Sequence, residues 1–371
     1  MIKNILIISS EYTGHGHKSI TEALCEKFAH YEEININVID GFSLGGKALL
    51  QIGKSYETIT RNAKELWKLV WKISLAKPKL INEAIELIIR VDFLSLLNQI
   101  KPDIIISLHP NFIGSVLNIL QKNSIKIPFV TLIADLVSIS PQWVDSRVDY
   151  IISPTYEAKN KCMQFKFPEE KIKVLGFPVR SKFYDQQIDE LHNGGSYSFD
   201  KPLNCLIMSG GDGVGNMSKI ASVLLDNFNC TVNIVAGRNA AAKKRFETSL
   251  GKKYGSQVKV FGFINNIQDL MKASDIVFTR GSPNVMMEAI SCNTPLVITG
   301  ALPGQEEGNP DFARKHNLGV VCKDLKNIRE TVSDLLADNA QRLNQIKKAQ
   351  RSFANPNTSK NIIDFIVTLK N

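Results

Sequence analysis

The chain has 371 residues, which is too many for one compact core and predicts two domains of ordinary size. Its hydrophobic fraction of 44% and charged fraction of 22% exclude the disordered and fibrous classes. The formal net charge of +9 points to an anionic partner, and composition leaves open whether this is nucleic acid, a membrane surface or a phosphorylated ligand.

The N-terminus opens on a short apolar run that ends in polar residues, which predicts a first β-strand rather than a signal peptide. No stretch approaches the roughly 20 apolar residues of a spanning helix, so any membrane role is expected to be peripheral. The six cysteines are scattered without a C-x-x-C pair. This favours buried reduced thiols in a cytoplasmic protein over a zinc site or a disulfide framework.

Short apolar runs alternate with helical patterns along the whole chain. The first half carries six predicted strands, at residues 4–9, 36–39, 104–108, 129–133, 150–153 and 173–175. The second half carries six more, at 205–208, 232–236, 258–261, 276–279, 296–299 and 319–322. Continuous Ile/Val/Leu runs are typical of strands covered on both faces. The pattern predicts an α/β protein with two doubly wound parallel sheets, whose ligands bind at the carboxyl ends of the strands.

The predicted domain boundaries follow from a polar stretch in the middle of the chain. Residues 183–201 are rich in Gly, Ser and Asn and carry no helical or strand period, so we assign them to a linker. An N-terminal domain at 1–182 and a C-terminal domain at 202–350 follow. Residues 351–371 contain an apolar-periodic helix, which we expect to pack back on the N-terminal domain.

Two histidines stand in the turn after the first strand. His15 and His17 are interleaved with Gly14 and Gly16 before a helix predicted from residue 20. The turn lacks glycines that a P-loop or a dinucleotide fingerprint requires. A helix N-terminus disfavours a protonated imidazole, which suits a proton acceptor. Two loop histidines that only hydrogen-bond the turn are an equally good interpretation.

Two further polar residues follow neighbouring strands of the first domain. His109 comes after the strand at 104–108, and Asp135 comes after the strand at 129–133. At the carboxyl ends of strands, Asp135 is placed to orient or charge-stabilise a histidine base. Its alternative role is a helix cap or a turn residue.

The second domain has two candidate phosphate-binding turns. Glycines at 210–215 let backbone N–H groups approach an anion. Ser282 and Pro283 form a helix start beside Arg280, which is an anion site by geometry. Glu288, within that helix, suits a ribose or is simply solvated.

The loop at 303–309 contains adjacent amide and carboxylate side chains, Gln305 and Glu306. These groups suit recognition of a polyhydroxylated sugar. The alternative is a solvated acidic turn.

The positive charge is concentrated in residues 47–90, which hold nine basic and four acidic residues, a net +5. Trp67, Lys68, Trp71 and Lys72 alternate within a helical stretch. Tryptophans beside lysines suit the interface of an anionic bilayer, where each basic residue contributes about 1 kcal/mol. An amphipathic helix packed on the domain, with solvated lysines, is the alternative.

The order of these motifs resembles the monogalactosyldiacylglycerol synthase and processive diacylglycerol glucosyltransferase family of GT-B glycosyltransferases, which is related to MurG. The resemblance runs over nearly the whole chain. The motifs that carry it are residues 13–17, His109-Pro110, 131–143, 176–180, 210–215, 237–239, 262–263, 279–289 and 303–309.

The resemblance implies two Rossmann-like domains facing a cleft, and an inverting transfer of a hexose from a UDP-sugar to diacylglycerol or a glycosyl-diacylglycerol. The enzyme would lie peripherally on the inner face of the cell membrane, an anionic surface, and would need no metal or other cofactor. His17 would be the general base and Asp135 an acceptor-side carboxylate. The residues implied for the donor nucleotide and diphosphate are Gly16, Gly211, Gly213, Arg238, Phe263, Ser282, Pro283 and Glu288. Those implied for the donor sugar are Gln305, Glu306 and Asn309, and His109 falls on the acceptor side with Trp67, Lys68, Trp71 and Lys72.

Three alternatives stay open from the sequence. One is a UDP-sugar epimerase, which also uses a GT-B-like architecture, and another is a glycosyltransferase with a different acceptor. The third is a non-catalytic basic protein that binds a membrane or nucleic acid. Nothing in the chain resembles a nucleic-acid module, so we expect no nucleic-acid partner.

Overall fold

The computed structural model describes residues 2–11, 13, 15–184, 199–208 and 214–369. The chain divides into two compact units. The first contains Met1–Ser181, Pro303–Gln305 and Asn357–Asn371, and the second contains Lys182–Leu302 and Glu306–Pro356.

The first unit is a parallel sheet with helices. Its elements are β1 (Asn4–Ser9), α1 (His15–Phe28), β2 (Asn35–Asp40), α2 (Gly46–Asn62), α3 (Lys64–Ala76), α4 (Pro78–Ile100), β3 (Ile104–Ser107), α5 (Gly114–Lys122), β4 (Phe129–Leu132), β5 (Tyr150–Ser153), α6 (Tyr156–Gln164) and β6 (Ile172–Val174). The six strands lie in the order β2-β1-β3-β4-β5-β6, and every pairing is parallel. The strand order reverses between β1 and β3, which makes their carboxyl ends the switch point of this sheet.

The second unit repeats the architecture. Its elements are β7 (Leu203–Met208), α7 (Val214–Asn227), β8 (Cys230–Val235), α8 (Ala240–Tyr254), β9 (Val258–Phe261), α9 (Ile267–Lys272), β10 (Ile276–Thr279), α10 (Pro283–Ser291), β11 (Leu296–Ile298), α11 (Asn309–Lys315), β12 (Gly319–Val321) and α12 (Ile328–Phe353). The sheet order is β12-β11-β10-β7-β8-β9, again all parallel. Its switch point lies between β7 and β10. The helix α12 is broken at Ala337–Ala340, where three consecutive residues adopt left-handed backbone angles.

The inner strands of each sheet form because their side chains bury on both faces, whereas the edge strand β2 has no buried residue. Ile5, Leu6, Ile7 and Ile8 of β1 are all fully buried, as the continuous apolar run predicts. Each of the twelve strands expected from the sequence is present, with ends that differ by at most two residues.

The final helix, α13 (Thr358–Thr368), belongs to the first unit. Ile362, Ile363 and Ile366 are fully buried, and the Tyr31 hydroxyl donates a hydrogen bond to the Asp364 carboxylate at 2.6 Å. The second unit ends at Pro356, beyond the predicted boundary at residue 350, because α12 continues to Phe353.

Of the predicted linker, residues 185–198 lie outside the described residues. Its first residue, Phe183, is fully buried at the end of a 3-10 turn over Ser181–Phe183.

Candidate active site

Three of the predicted site residues lie where neighbouring strands of the first sheet end. His17 follows β1, His109 follows β3 and Asp135 follows β4, and these strands are adjacent. Because the strands are parallel, their carboxyl ends share one edge of the sheet. The structure therefore gathers these residues at and beside the switch point.

The helix after β1 begins at His15, five residues earlier than predicted, so His17 lies in its first turn and not in a preceding loop. Gly16 also falls in this first turn, where a glycine interrupts no interior part of the helix. The Thr21 hydroxyl donates to the His17 carbonyl at 2.8 Å and is 2.7 Å from the Ser9 hydroxyl. These bonds tie the first turn of α1 to β1 and position His17.

The His17 side chain is held neutral. It is 9% exposed, and burial lowers its pKa to about 4, with a smaller opposing contribution from a hydrogen bond to the Leu108 backbone. The neutral state expected from the helix terminus is thus enforced chiefly by burial. The Nδ1 atom is buried and has no hydrogen-bond partner among the residues that the structure describes. A neutral imidazole with an unpartnered nitrogen is equipped to accept a proton.

His109 packs beside His17, with 4.8 Å between the ring centroids. It precedes the 3-10 turn Pro110–Phe112, and its Nδ1 accepts the Asn111 backbone N–H at 3.3 Å. The neutral ring therefore carries its proton on Nε2. Burial, and secondly the nearby His17, hold the pKa of His109 well below its usual range.

Asp135 is 4% exposed, and both of its oxygens are hydrogen-bonded. Oδ2 accepts from the Trp143 indole N–H at 2.8 Å, and Oδ1 accepts from the Gln305 amide at 3.0 Å. The Trp143 ring in turn lies 6.3 Å from the His17 ring. Trp143 thus connects the carboxylate to the histidine pair.

Gln305 reaches Asp135 as part of Pro303–Gln305, which groups with the first unit. The family resemblance places Gln305 on the donor sugar and Asp135 on the acceptor side, and the structure brings the two residues together. The Gln305 Oε1 atom accepts a hydrogen bond from the Tyr56 hydroxyl of α2 at 3.0 Å. Tyr56 is a residue that the sequence analysis missed, because a lone tyrosine in a helical pattern carries no local signal.

Trp143 is the last residue of the 131–143 motif, and the motif itself predicts no role for it. It is 1% exposed, and its neighbour Gln142 donates to the Asn111 side-chain oxygen at 3.2 Å. Two short turns of the first unit, Pro110–Phe112 and Pro141–Trp143, are joined through this bond. Their prolines, each followed by polar residues after a strand, were the available signal.

The helix α3 turns its tryptophans inward. Trp67 and Trp71 are half-buried, and the Trp67 ring meets the Tyr56 ring edge-on at 5.1 Å. Lys68 and Lys72 are exposed. The outer face of α3 carries the apolar side chains of Leu66, Leu69, Val70 and Ile73, each between 42% and 54% exposed.

In the second unit, the turn after β10 starts α10 at the second switch point. Ser282 occupies the N-cap position with Pro283 as the first helical residue, as predicted, although the Ser282 side chain makes no capping hydrogen bond. The Gly281 N–H donates to the Gly300 carbonyl at 2.8 Å. Helix-terminal N–H groups and the positive end of the dipole suit an anion here.

Glu306 is engaged within the protein. Its Oε2 accepts the Leu302 backbone N–H at 2.8 Å, and its Oε1 pairs with the Arg280 guanidinium at 3.2 Å. Asn309 is fully buried and donates to the Gly281 carbonyl at 2.7 Å. Glu306 and Asn309 therefore fix the turn that carries Arg280, in addition to any contact with a sugar.

The remaining donor-side residues are spread over the second unit. Glu288 is buried in α10 at 7% exposure. The Arg238 guanidinium lies 5.1 Å from the centroid of the Phe263 ring, and that ring is 54% exposed. Gly211 and Gly213 lie outside the described residues.

Two family models match the chain. Residues 17–179 match the monogalactosyldiacylglycerol (MGDG) synthase family, and residues 212–352 match glycosyl transferases group 1. A probable monogalactosyldiacylglycerol synthase 2 from Oryza sativa subsp. indica is 26% identical over an alignment of 386 residues, which covers 99% of this chain and 81% of the relative. A processive diacylglycerol beta-glucosyltransferase from Bacillus cytotoxicus is 27% identical over 383 residues, which covers 99% of this chain and 94% of the relative.

Solved structures with the same fold include MurG from Acinetobacter baumannii, with a TM-score of 0.65 at 15% identity over 99% of this chain and 100% of that one. A UDP-GlcNAc 2-epimerase from Neisseria meningitidis has a TM-score of 0.66 at 15% identity over the same shares of the two chains.

The two Rossmann-like units and the group 1 match define a GT-B glycosyltransferase, and the chain is an enzyme of the hexosyltransferase type. The resemblance that its motifs carry is confirmed: residues 17–179 match the monogalactosyldiacylglycerol synthase model, and its relatives are named as monogalactosyldiacylglycerol synthases and a bacterial processive diacylglycerol glucosyltransferase.

Proposed function

We propose that this enzyme transfers a hexose from a UDP-sugar to diacylglycerol or a glycosyl-diacylglycerol with inversion at the anomeric carbon, and that His17 is the general base. The observation that carries the proposal is the neutral, buried His17 with an unpartnered Nδ1. It lies at the switch point of a unit whose family acts, by the names of its relatives, on diacylglycerol.

The chemistry assigned to His17 is a single proton transfer. As the acceptor hydroxyl oxygen attacks the anomeric carbon, Nδ1 takes the hydroxyl proton, and the bond from the sugar to UDP breaks. A buried acceptor atom without a partner costs about 1–3 kcal/mol. An unpartnered Nδ1 therefore favours a role in which a bound substrate supplies the missing hydrogen bond. A positioned base of this kind contributes about 10²–10⁴-fold to the rate.

The donor side rests on the second unit. The α10 N-terminus, with Ser282 and Pro283, offers backbone N–H groups to a diphosphate. Arg280, held in place by its ion pair with Glu306, carries guanidinium N–H donors on the same turn. This supports a diphosphate site that works without a metal ion, with Glu288 available for the ribose hydroxyls. Solved structures of the same fold include one with UDP and one bound to UDP-GlcNAc.

The proposed acceptor side faces an anionic membrane, on the inner face of the cell membrane. The outer face of α3 combines exposed Leu66, Leu69, Val70 and Ile73 with Lys68 and Lys72 on the same helix. The neighbouring α4 exposes four more apolar side chains, those of Leu80, Leu87, Ile88 and Val91, at 50–76%. An apolar surface edged by lysines fits a bilayer interface. None of the helices that the structure describes has the length and apolar character to cross a bilayer.

The direct experiment offers the enzyme a panel of UDP-hexoses together with diacylglycerol in anionic vesicles. We expect a glycolipid product whose anomeric configuration is inverted relative to the donor, identified by mass spectrometry and NMR. Transfer to soluble acceptors alone would contradict the lipid assignment. Isomerised sugar nucleotide formed without any acceptor would favour the epimerase alternative.

The same assay tests the base. His17→Ala is expected to lower transfer at least about 100-fold while leaving UDP binding, measured by calorimetry, nearly intact. The matched control is His30→Ala, because His30 is exposed and lies beyond the far end of α1. Near-normal turnover by His17→Ala would sink the assignment.

A further inference from the structure

We propose that Tyr56 is a positioning residue for the transfer reaction, which acts by fixing the Gln305 amide and, through it, the Asp135 carboxylate. The kinetic part of this inference rests on the proposed function, since it takes Gln305 to contact the donor sugar. The structural part stands on the hydrogen bonds alone.

The bonds form one directed chain. The Tyr56 hydroxyl donates to Gln305 Oε1 at 3.0 Å, and Gln305 Nε2 donates to Asp135 Oδ1 at 3.0 Å. The Trp143 indole donates to the other carboxylate oxygen at 2.8 Å. Asp135 accepts and cannot donate when ionised, so the amide must present its nitrogen to Asp135 and its oxygen to Tyr56. The hydroxyl therefore stabilises the only amide orientation that suits Asp135.

This series of hydrogen bonds matters because Asp135 is buried. At 4% exposure the Asp135 carboxylate depends on donors within the protein, and Gln305 bonds one of its oxygens while Trp143 bonds the other. Loss of a donor to a buried carboxylate leaves part of the charge unsatisfied. If the Gln305 amide rotated by 180°, its Oε1 would face the Asp135 carboxylate, and the two oxygens would repel each other. Anything that frees the Gln305 amide thus changes the orientation of Asp135.

Tyr56 is itself well anchored. Its ring meets Trp67 of α3 edge-on, and its carbonyl accepts the Thr60 hydroxyl within α2 at 2.9 Å. A second contact restrains the same segment: Gly304 has φ +81°, and a Cβ there would lie 2.3 Å from the Trp71 ring. The α2–α3 pair therefore holds Pro303–Gln305 at two points, so the orientation of Gln305 depends on these helices.

The test removes only the hydroxyl. Tyr56→Phe keeps the ring and its contact with Trp67, and we expect it to lower kcat/KM for the UDP-sugar about 3- to 10-fold, the range for one hydrogen bond. In a Gln305→Ala background the same change should have little further effect, because the two residues act in series. The control is Tyr31→Phe, which removes a hydroxyl that bonds Asp364 in the same unit; it should match the wild type.

An independent readout needs no activity. The chain has three tryptophans, so an NMR spectrum of indole N–H groups contains three signals, and Trp143→Phe assigns that of Trp143. Tyr56→Phe should shift the Trp143 signal when Gln305 is present and leave it unmoved in Gln305→Ala, while Tyr31→Phe moves it in neither. An unmoved Trp143 signal, or an equal kinetic loss in both backgrounds, would overturn the proposal. If the wild type transfers no hexose to diacylglycerol, the proposed function fails, while the indole measurement still decides the role of Tyr56.

Discussion

His17 and His109 stay neutral chiefly because both are buried, and the nearby His17 lowers the pKa of His109 further. Their ring centroids are 4.8 Å apart, and both pKa values are lowered from the ordinary histidine value. Two neighbouring imidazoles in a buried site thus keep a proton acceptor available at neutral pH.

This burial makes the stability of the fold depend on pH. Because the pKa of His17 is lowered from 6.5 to about 4, the unfolded chain binds more protons than the folded chain between those values. The contribution is fully present above pH 6.5 and is lost as the pH falls toward 4, by an amount on the order of 3 kcal/mol. His17→Gln should flatten the decline of the unfolding free energy between pH 6.5 and 4.5, measured by urea titration. A decline as steep as that of an exposed-site control, His30→Gln, would contradict the assignment.

The candidate catalytic side chains could be predicted because they follow strands. A parallel sheet brings His17, His109 and Asp135 to one edge whatever the intervening sequence. Tyr56 could not be found this way. Its bond to Gln305 joins positions 249 residues apart, and no local pattern encodes such a pair.

The helix α3 has two apolar faces with different surroundings. Trp67 and Trp71 point toward Tyr56 and Gly304, whereas Leu66, Leu69 and Ile73 remain exposed. The sequence showed the mixture of tryptophan, leucine and lysine, but periodicity alone does not say which apolar face meets the protein. In the structure the leucine, valine and isoleucine side chains form the outward face, and the two tryptophans pack against Tyr56 and Gly304.

The outward face is expected to bind vesicles. Leu69→Glu with Ile73→Glu should weaken co-sedimentation with anionic vesicles at least about 10-fold, since burial of each aliphatic side chain contributes about 1.5–3 kcal/mol. The unfolding temperature should change little because both positions are exposed. Met163→Glu is the control, because Met163 is an exposed apolar residue of α6. Unchanged sedimentation of the double variant would contradict the proposal that α3 contacts the membrane.

The last helix of the chain, α13, is expected to stabilise the first unit and not the second unit that precedes it in sequence. Ile366 is fully buried there, although it follows the whole second unit in sequence. Ile366→Ala should cost about 2–5 kcal/mol and should raise hydrogen exchange in α1 and β1 while sparing β7 to β12. Leu335→Ala, at a fully buried position of α12, is the matched control and should do the reverse. Equal loosening of both sheets by Ile366→Ala would contradict this division.

The architecture could be predicted from the sequence because its cause is local and repeated. Strands buried on both faces must be continuous apolar runs, and parallel strands must be joined by helices. Twelve such runs, with polar residues at their carboxyl ends, determine the two sheets and the edge that bears the histidines, whereas the enzyme class followed from the resemblance of the motifs to a known family.

The connections of the site depended on tertiary packing. Asp135, Gln305, Tyr56 and Trp143 come from separate parts of the chain, and their hydrogen bonds exist only once the first unit is assembled. The depressed pKa of His17 likewise arises from the atoms that surround it, because desolvation is a property of the packed environment and not of the neighbouring letters in the sequence.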